Sequence, residues 1–386
     1  MRVLLLTGKG GVGKTSLAAA TAMHAAQQGR RTFLLSTDSA HSLGDAFARR
    51  IGARPVEVAP RLVAQEVGVL DELDRAWSEI QEWLRELLRE ETSELVAEEL
   101  LVFPGMEELV SLRAVREVEA TGDFDLCVVD CAPTGDTLRM LRFPDALRLF
   151  MENFWEIKRR GVRALRPIVN RILPGKLIPE EKFFDAFERL YREVEDVRQI
   201  LLDGDRTTAR LVVNPARVVV EETRRSFAYL SLYGVATDAV LVNRVLPDVA
   251  AGGYFARWAQ RQGEELAEIR ASFPVPLLYA PLRPHEVLGA EALGALGAEL
   301  YGDRDPAALF TRARPIRLRK RGQHALLEID LPGASKEELR VTRNGERLLV
   351  RVRDAERVVT LPASLTGREI TSARLEDGVL EVSFAP

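Results

Sequence analysis

Arg2-Val3-Leu4-Leu5-Leu6-Thr7-Gly8-Lys9-Gly10-Gly11-Val12-Gly13-Lys14-Thr15 is a strand, a turn and the start of a helix written in fourteen residues. RVLLLT at 2–7 is continuously apolar, as a strand buried on both faces must be. The glycine-rich turn that follows opens a helix expected from Thr15 to Gln28. Gly8 to Thr15 fits the phosphate-binding P-loop pattern in full, and it lies where that pattern requires. Glycines let Gly10, Gly11, Val12 and Gly13 close on phosphate with their backbone N–H groups, beside Ser16 in the first helical turn. Lys14 neutralises the β and γ oxygens, and the Thr15 hydroxyl ligates Mg directly. A bare strand-to-helix turn would need neither Lys14 nor Thr15.

Working outward, RRTFLLST (30–37), FDLCVVD (124–130), ARLVVNP (209–215), DAVLVNRV (238–245) and VPLLYAPL (275–282) repeat the apolar-strand pattern, with helical stretches between them. The alternation predicts an α/β fold, a P-loop NTPase with a mostly parallel, doubly wound sheet. Ligands of such sheets sit beyond the carboxyl ends of the strands, where Asp38 and Asp130 join the P-loop. Two helical stretches interrupt the alternation and predict a helical insertion subdomain, in segments of about 71–113 and 145–202. After Tyr301, GDRDPAALFTRARP reads as a linker, and from 315 the period changes to alternation of apolar and polar residues. Turns at Asn344-Gly345 and Asp377-Gly378 separate those runs. The expected units are an ATPase domain at 1–301, a linker at 302–314 and a small all-β antiparallel sandwich at 315–386.

Composition sets outer limits. The hydrophobic fraction is 46% and the charged fraction 29%, which suits a soluble globular chain with a sizeable core. A net charge of −4 argues against a general nucleic-acid binder. No apolar run reaches the length of a membrane span, and the first apolar run is too short for a signal peptide, so a cytoplasmic protein is expected, in peripheral contact with a membrane at most. The two cysteines, Cys127 and Cys131, are about 13 Å apart if the strand is extended, too far to share one metal. They read as small buried hydrophobes, and no zinc is expected.

Asp130 closes an apolar strand, the setting of a carboxylate that holds Mg through water. Asp38 closes another. It either orients the attacking water, also reaching Mg through water, or caps the next helix. Lys9 is either a solvated surface charge or a finger that reaches the nucleotide of a facing subunit. No guanine-reading Asn-Lys-x-Asp is present, so ATP is favoured, with Asn243 either a turn residue or an adenine contact. The basic stretch at 154–176 either meets anionic lipid or a partner helix, or covers its own core.

With these residues assembled, residues 1 to about 300 resemble the arsenite-pump-driving and tail-anchored-protein-targeting ATPase family. GKGGVGKT resembles its deviant P-loop, which implies that Lys9 acts across a homodimer. STDSAHSLGDAF at 36–47 resembles its first switch and implies Asp38 as the hydrolytic carboxylate. DCAPTGDTLRMLRFP at 130–144 resembles its second switch, and Asn243 with Ala280-Pro281-Leu282 resembles its adenine pocket. Ser39 stands where the family has proline, Cys131 where it has threonine and Asp136 where it has histidine. The paired zinc cysteines of targeting factors and the arsenite-binding cysteine trio of the pumps are both absent. Residues 315–386 resemble an α-crystallin (small heat-shock) domain, notably at EIDLPGASKEEL and ARLEDGVLEVSF.

The function expected is a Mg-dependent ATPase whose homodimer binds and releases an apolar client, a tail-anchored or other hydrophobic protein segment. The client surface is placed on Phe150, Phe154 and Trp155, extended by Ile168, Val169 and Ile172. The alternatives are the motor of an anion or arsenite pump, with a membrane-protein partner, and a holdase-like scaffold with weak ATPase activity.

Overall fold

A computed structural model describes residues 1–38, 42–67, 106–135, 141, 181–250, 253–322, 324–362 and 364–385. Eight strands form its main sheet: β1 (Arg2–Gly8), β2 (Thr32–Ser36), β3 (Val56–Ala59), β4 (Leu62–Glu66), β5 (Leu126–Asp130), β6 (Thr207–Val213), β7 (Thr237–Val245) and β8 (Leu277–Pro281). Their order is β3-β4-β2-β5-β1-β6-β7-β8, and every neighbouring pair is parallel except β3 with β4. The short β3–β4 pair was not foreseen from the sequence, where its half-exposed residues carry no apolar run.

Alternation along each strand feeds two cores, one on each face of the sheet. Leu4, Leu6, Leu34, Val128 and Leu241 join one apolar cluster, while Val3, Leu5, Phe33, Val129 and Val242 join the other. A leucine buried this fully contributes about 1.5–3 kcal/mol, so paired apolar faces dominate the stability of the sheet. On the first face lie α1 (Lys14–Gln27) and, packed against it, the late helix α7 (Gly289–Tyr301). Contact there is close: a Cβ built on Gly297 would stand 2.3 Å from the Ala20 carbonyl oxygen. Only glycine permits that approach.

Between these helices in the chain come α2 (Ser42–Ala46), α3 (Met106–Thr121), α4 (Glu181–Leu202), α5 (Arg217–Tyr233) and α6 (Ala256–Ser272). Val115 and Val118 of α3, Val194 and Val197 of α4, and Phe227 and Leu230 of α5 belong to the second face's cluster. The remainder of the expected insertion subdomain, with Phe150, Phe154, Trp155, Ile168, Val169 and Ile172, lies outside the described residues. No described helix is long and apolar enough to cross a membrane.

The C-terminal strands pair antiparallel in two sheets. β9 (Ile316–Arg321), β10 (His324–Asp330), β14 (Ile370–Glu376) and β15 (Val379–Phe384) make one, in the order β14-β15-β10-β9; β11 (Leu339–Asn344), β12 (Arg347–Val352) and β13 (Ala355–Thr360) make the other. Ile329, Leu348, Val350, Leu380, Val382 and Phe384 are fully or almost fully buried between them. This sandwich rests on α5: the Tyr233 hydroxyl donates to the Glu356 carbonyl at 3.0 Å, and Arg357 donates to the Leu232 carbonyl at 2.6 Å.

The stretch expected to be a linker is fastened to the sheet. Arg210 and Asp238, both fully buried, pair through two guanidinium nitrogens at 3.1 and 3.2 Å. Arg210 also donates to the Tyr301 hydroxyl at 3.2 Å and to the Ala308 carbonyl at 3.1 Å, and its guanidinium lies 4.3 Å from the Phe310 ring centre. The Phe310 N–H reaches Asp238 in return at 3.3 Å. The run reads as a linker in the sequence because bonds from its backbone to a buried ion pair leave no hydropathy signal.

Candidate functional site

Register assembles the site. Parallel pairing sets Leu6 of β1 and Ser36 of β2 on either side of Asp130 of β5, so the P-loop and the segment after Ser36 leave the same end of the sheet, flanking β5. Gly13 then caps α1 with φ 94°, a left-handed conformation that suits glycine, and turns the first amides of α1 toward the end of the sheet. Gly11, Gly13, Lys14, Thr15 and Ser16 line a cleft of about 1620 Å³ that Asp38, Asn243 and Pro281 also line. Gly10 is exposed on the loop, and Val12 is buried beneath it.

Lys14 is buried, and its ammonium donates to the Lys9 carbonyl at 3.3 Å. The Thr15 hydroxyl lies 3.0 Å from the Ser42 hydroxyl, which ties the first turn of α1 to the first residue of α2. Asp130 is fully buried; Ser36 donates to one of its oxygens at 3.4 Å, and the other, Oδ1, has no hydrogen-bond partner. Burial pushes this carboxyl up to about 7; the Thr15 hydroxyl and the Lys14 ammonium oppose the rise, and Asp38 adds to it. Such a carboxylate is short of positive charge. An orphaned buried oxygen, a neighbouring hydroxyl and a second carboxylate form an all-oxygen donor set, and that suits a hard cation such as Mg.

Two expected residues are engaged within the chain itself. Lys9 is turned aside, with its ammonium 3.0 Å from a Glu222 carboxylate oxygen on α5. Asn243 donates to the Val12 carbonyl at 2.8 Å and accepts from the Arg244 N–H, so its amide braces the P-loop from beneath. A Cβ on Gly13 would collide with that amide at 2.4 Å.

The sequence reading overlooked Glu66. It ends β4, is buried, and accepts the N–H groups of Leu43 and Gly44 at 2.8 and 3.0 Å. It thereby anchors the start of α2. A lone glutamate after a weak strand gives no motif, and only the register of β4 beside β2 reveals it. Cys127 and Cys131 are free thiols, both buried.

Comparison with known proteins converges on one group. The residue pattern of a family described as anion-transporting ATPase matches residues 1–302, and that of an HSP20-like domain found in ArsA matches 322–384. A Prosthecochloris vibrioformis protein provisionally named arsenical pump-driving ATPase is 36% identical over 388 residues, covering 100% of this chain and 96% of its own. An Aquifex aeolicus protein with a similar provisional name is 34% identical over 97% of this chain and 98% of its own. The arsenical pump-driving ATPase of Acidiphilium multivorum is 30% identical over 76% of this chain, which matches 48% of that longer protein.

Proposed function

The chain belongs to the anion-transporting ATPase family, and on that premise we propose that it hydrolyses ATP as a nucleotide-switched homodimer that takes up and releases an apolar protein segment. The observation that carries the ATPase reading is the convergence of Lys14, Thr15, Asp38 and Asp130 at one sheet edge, with an unpartnered oxygen on Asp130. In this reading the amides of Gly10 to Thr15 hold the phosphates, and Lys14 meets the charge that develops on the transferred phosphoryl group. Asp38 orients the attacking water. Mg would be held by Thr15 directly and by Asp38 and Asp130 through water, and when bound it supplies positive charge to the β and γ oxygens. Asn243 and Pro281 flank the adenine, and Lys9 acts on the nucleotide of the facing chain.

Pairing of two chains is supported by large apolar side chains left exposed. Val249, Tyr254 and Trp258 are 96%, 87% and 66% exposed, and among the residues of α6 only Ile269 is buried. Capture of a client rests on the family resemblance. The site proposed for it comprises Phe150, Phe154, Trp155, Ile168, Val169 and Ile172. Cytoplasmic placement with peripheral membrane contact goes with this reading.

A second reading, the motor of an arsenite pump, is favoured by the names of the relatives. Against it, the chain's two cysteines are both buried, so no exposed thiol trio is available to a metalloid.

The test is Asp38→Asn. That variant should bind ATP with near wild-type affinity, hydrolyse it on the order of a hundred-fold more slowly, and trap a fluorescent apolar helical peptide in the presence of ATP. Equal loss of binding and turnover would make Asp38 structural. Turnover stimulated by arsenite, with no peptide capture, would replace the client reading with the pump reading.

A further inference from the structure

The topology places the start of α5 beside the P-loop. β6 lies next to β1 and parallel to it, with Val212 in register with Gly8, so the chain leaving β6 emerges at the edge where Lys9 does. Glu222, in the second turn of α5, meets the Lys9 ammonium there at 3.0 Å, with side chains 30% and 34% exposed. Lys9 is the residue that the proposed function assigns to the facing chain's nucleotide. It cannot serve that nucleotide while it is paired at home.

The carboxylate is held on a stiff support. Two residues on, Arg224 is forked onto Glu221 at 2.7 Å, Glu268 of α6 at 3.0 Å and the Ser272 hydroxyl. Ten residues on, roughly 15 Å along the helix axis, α5 is clasped by the sandwich through Leu232 and Tyr233. Gly234 then ends the helix at φ 85°. The helix that carries Glu222 is thus tied to α6 and to the sandwich, while Lys9 stands on the glycine-rich loop between Gly8 and Gly10.

We infer that Glu222 is a positioning residue for Lys9: it holds the second P-loop lysine in cis and sets how readily Lys9 is released to a nucleotide across the dimer. The inference rests on the reading that Lys9 acts in trans. An ion pair this exposed shifts an equilibrium by about two- to five-fold. A polyphosphate from a facing chain, with several charges, outcompetes it. The pair therefore tunes assembly and does not block it.

Sedimentation velocity of the full chain in Mg and ATPγS, at a series of protein concentrations, gives the dimer constant. Glu222→Gln, which keeps size and removes charge, should tighten the dimer by about two- to five-fold, with monomer affinity for ADP and melting temperature unchanged. Glu222→Asp should return toward wild type. In a Lys9→Ala background, Glu222→Gln should change nothing, because the partner is gone. A Glu222→Gln dimer constant equal to that of a dimerising wild type overturns the inference and leaves the trans role of Lys9 standing. The same shift persisting in the Lys9→Ala background also overturns it, since the effect would then not pass through Lys9. A wild type that remains monomeric in ATPγS overturns the trans reading along with the inference.

Discussion

The main sheet buries charge at the Arg210 and Asp238 pair and at Asp130, and treats it in opposite ways. Arg210 and Asp238, on neighbouring strands β6 and β7, are fully buried and saturated with partners: each other, the Tyr301 hydroxyl, the Ala308 carbonyl, the Phe310 N–H and the Phe310 ring. Burial alone would lower the Arg210 pKa, but Tyr301 and Asp238 outweigh it and hold it raised. Asp130, two strands away from β6, is buried as deeply, yet one oxygen is orphaned and its pKa is driven up to about 7. An evolved interior seldom leaves a carboxylate oxygen unsatisfied without a use for it. The saturated pair is a fastener. In the proposed reading, the starved carboxylate is a socket for a cation.

Breaking the fastener should have the larger effect on stability. Arg210→Met leaves Asp238 buried, with Arg2 at 3.4 Å as its remaining ion partner. Loss of one member of a buried pair costs about 3–5 kcal/mol, and urea unfolding of the full chain would register it as a lower midpoint. If the change were neutral, the seam would be a surface feature and the distinction would collapse.

The socket predicts a change of opposite sign. Asp130→Asn removes a poorly compensated charge, so the nucleotide-free chain should gain about 1–2 kcal/mol. The same variant should lose the additional thermal stabilisation that Mg gives the ATP-bound wild type. An Asn variant that is destabilised without nucleotide would mean that Asp130 is already satisfied.

The smallest effect concerns His24, at the edge of the seam. Its ring stacks on Tyr301, and Nε2 lies 3.2 Å from the Gly302 carbonyl oxygen. Burial lowers its pKa below 6.5, partly offset by the Gly302 carbonyl and by Asp305. The neutral ring is therefore the one that the fold prefers. Its contribution to stability is complete above pH 6.5 and is lost as pH falls through the depressed folded value. Wild type should lose melting temperature relative to His24→Gln between pH 7 and pH 5. A difference independent of pH would remove His24 from that account.

These two burials also mark how far sequence reading reaches. The P-loop, Asp38, Asp130, the parallel sheet and the C-terminal sandwich are legible because each leaves a local trace: a glycine spacing, an apolar run with a charge at its end, or a change of period. Arg210 sits inside the apolar run ARLVVNP and could not be told from an outward-facing residue. Its partners come from β7, the end of α7 and the stretch after it, and only folding brings them together. Glu66 and Glu222 escaped for the same reason. One acts through the register of β4 with β2 and the other through that of β6 with β1. Asn243 was legible as a residue of the site, but its bond to the Val12 carbonyl was not, because a strand-end asparagine carries no sign of the loop above it.

The missing side chain at Gly297 matters beyond packing. α1 lies flush against α7 at that point, with the Ala20 carbonyl where a methyl would be. Lys14 begins the same helix six residues earlier, roughly 9 Å along its axis. A single added carbon at 297 would push on α1 as on a piston, and the displacement would emerge at the phosphate loop. Position 297 touches no ligand, yet mutation there would register as a defect in nucleotide affinity. A screen for loss of function would return it among the site residues.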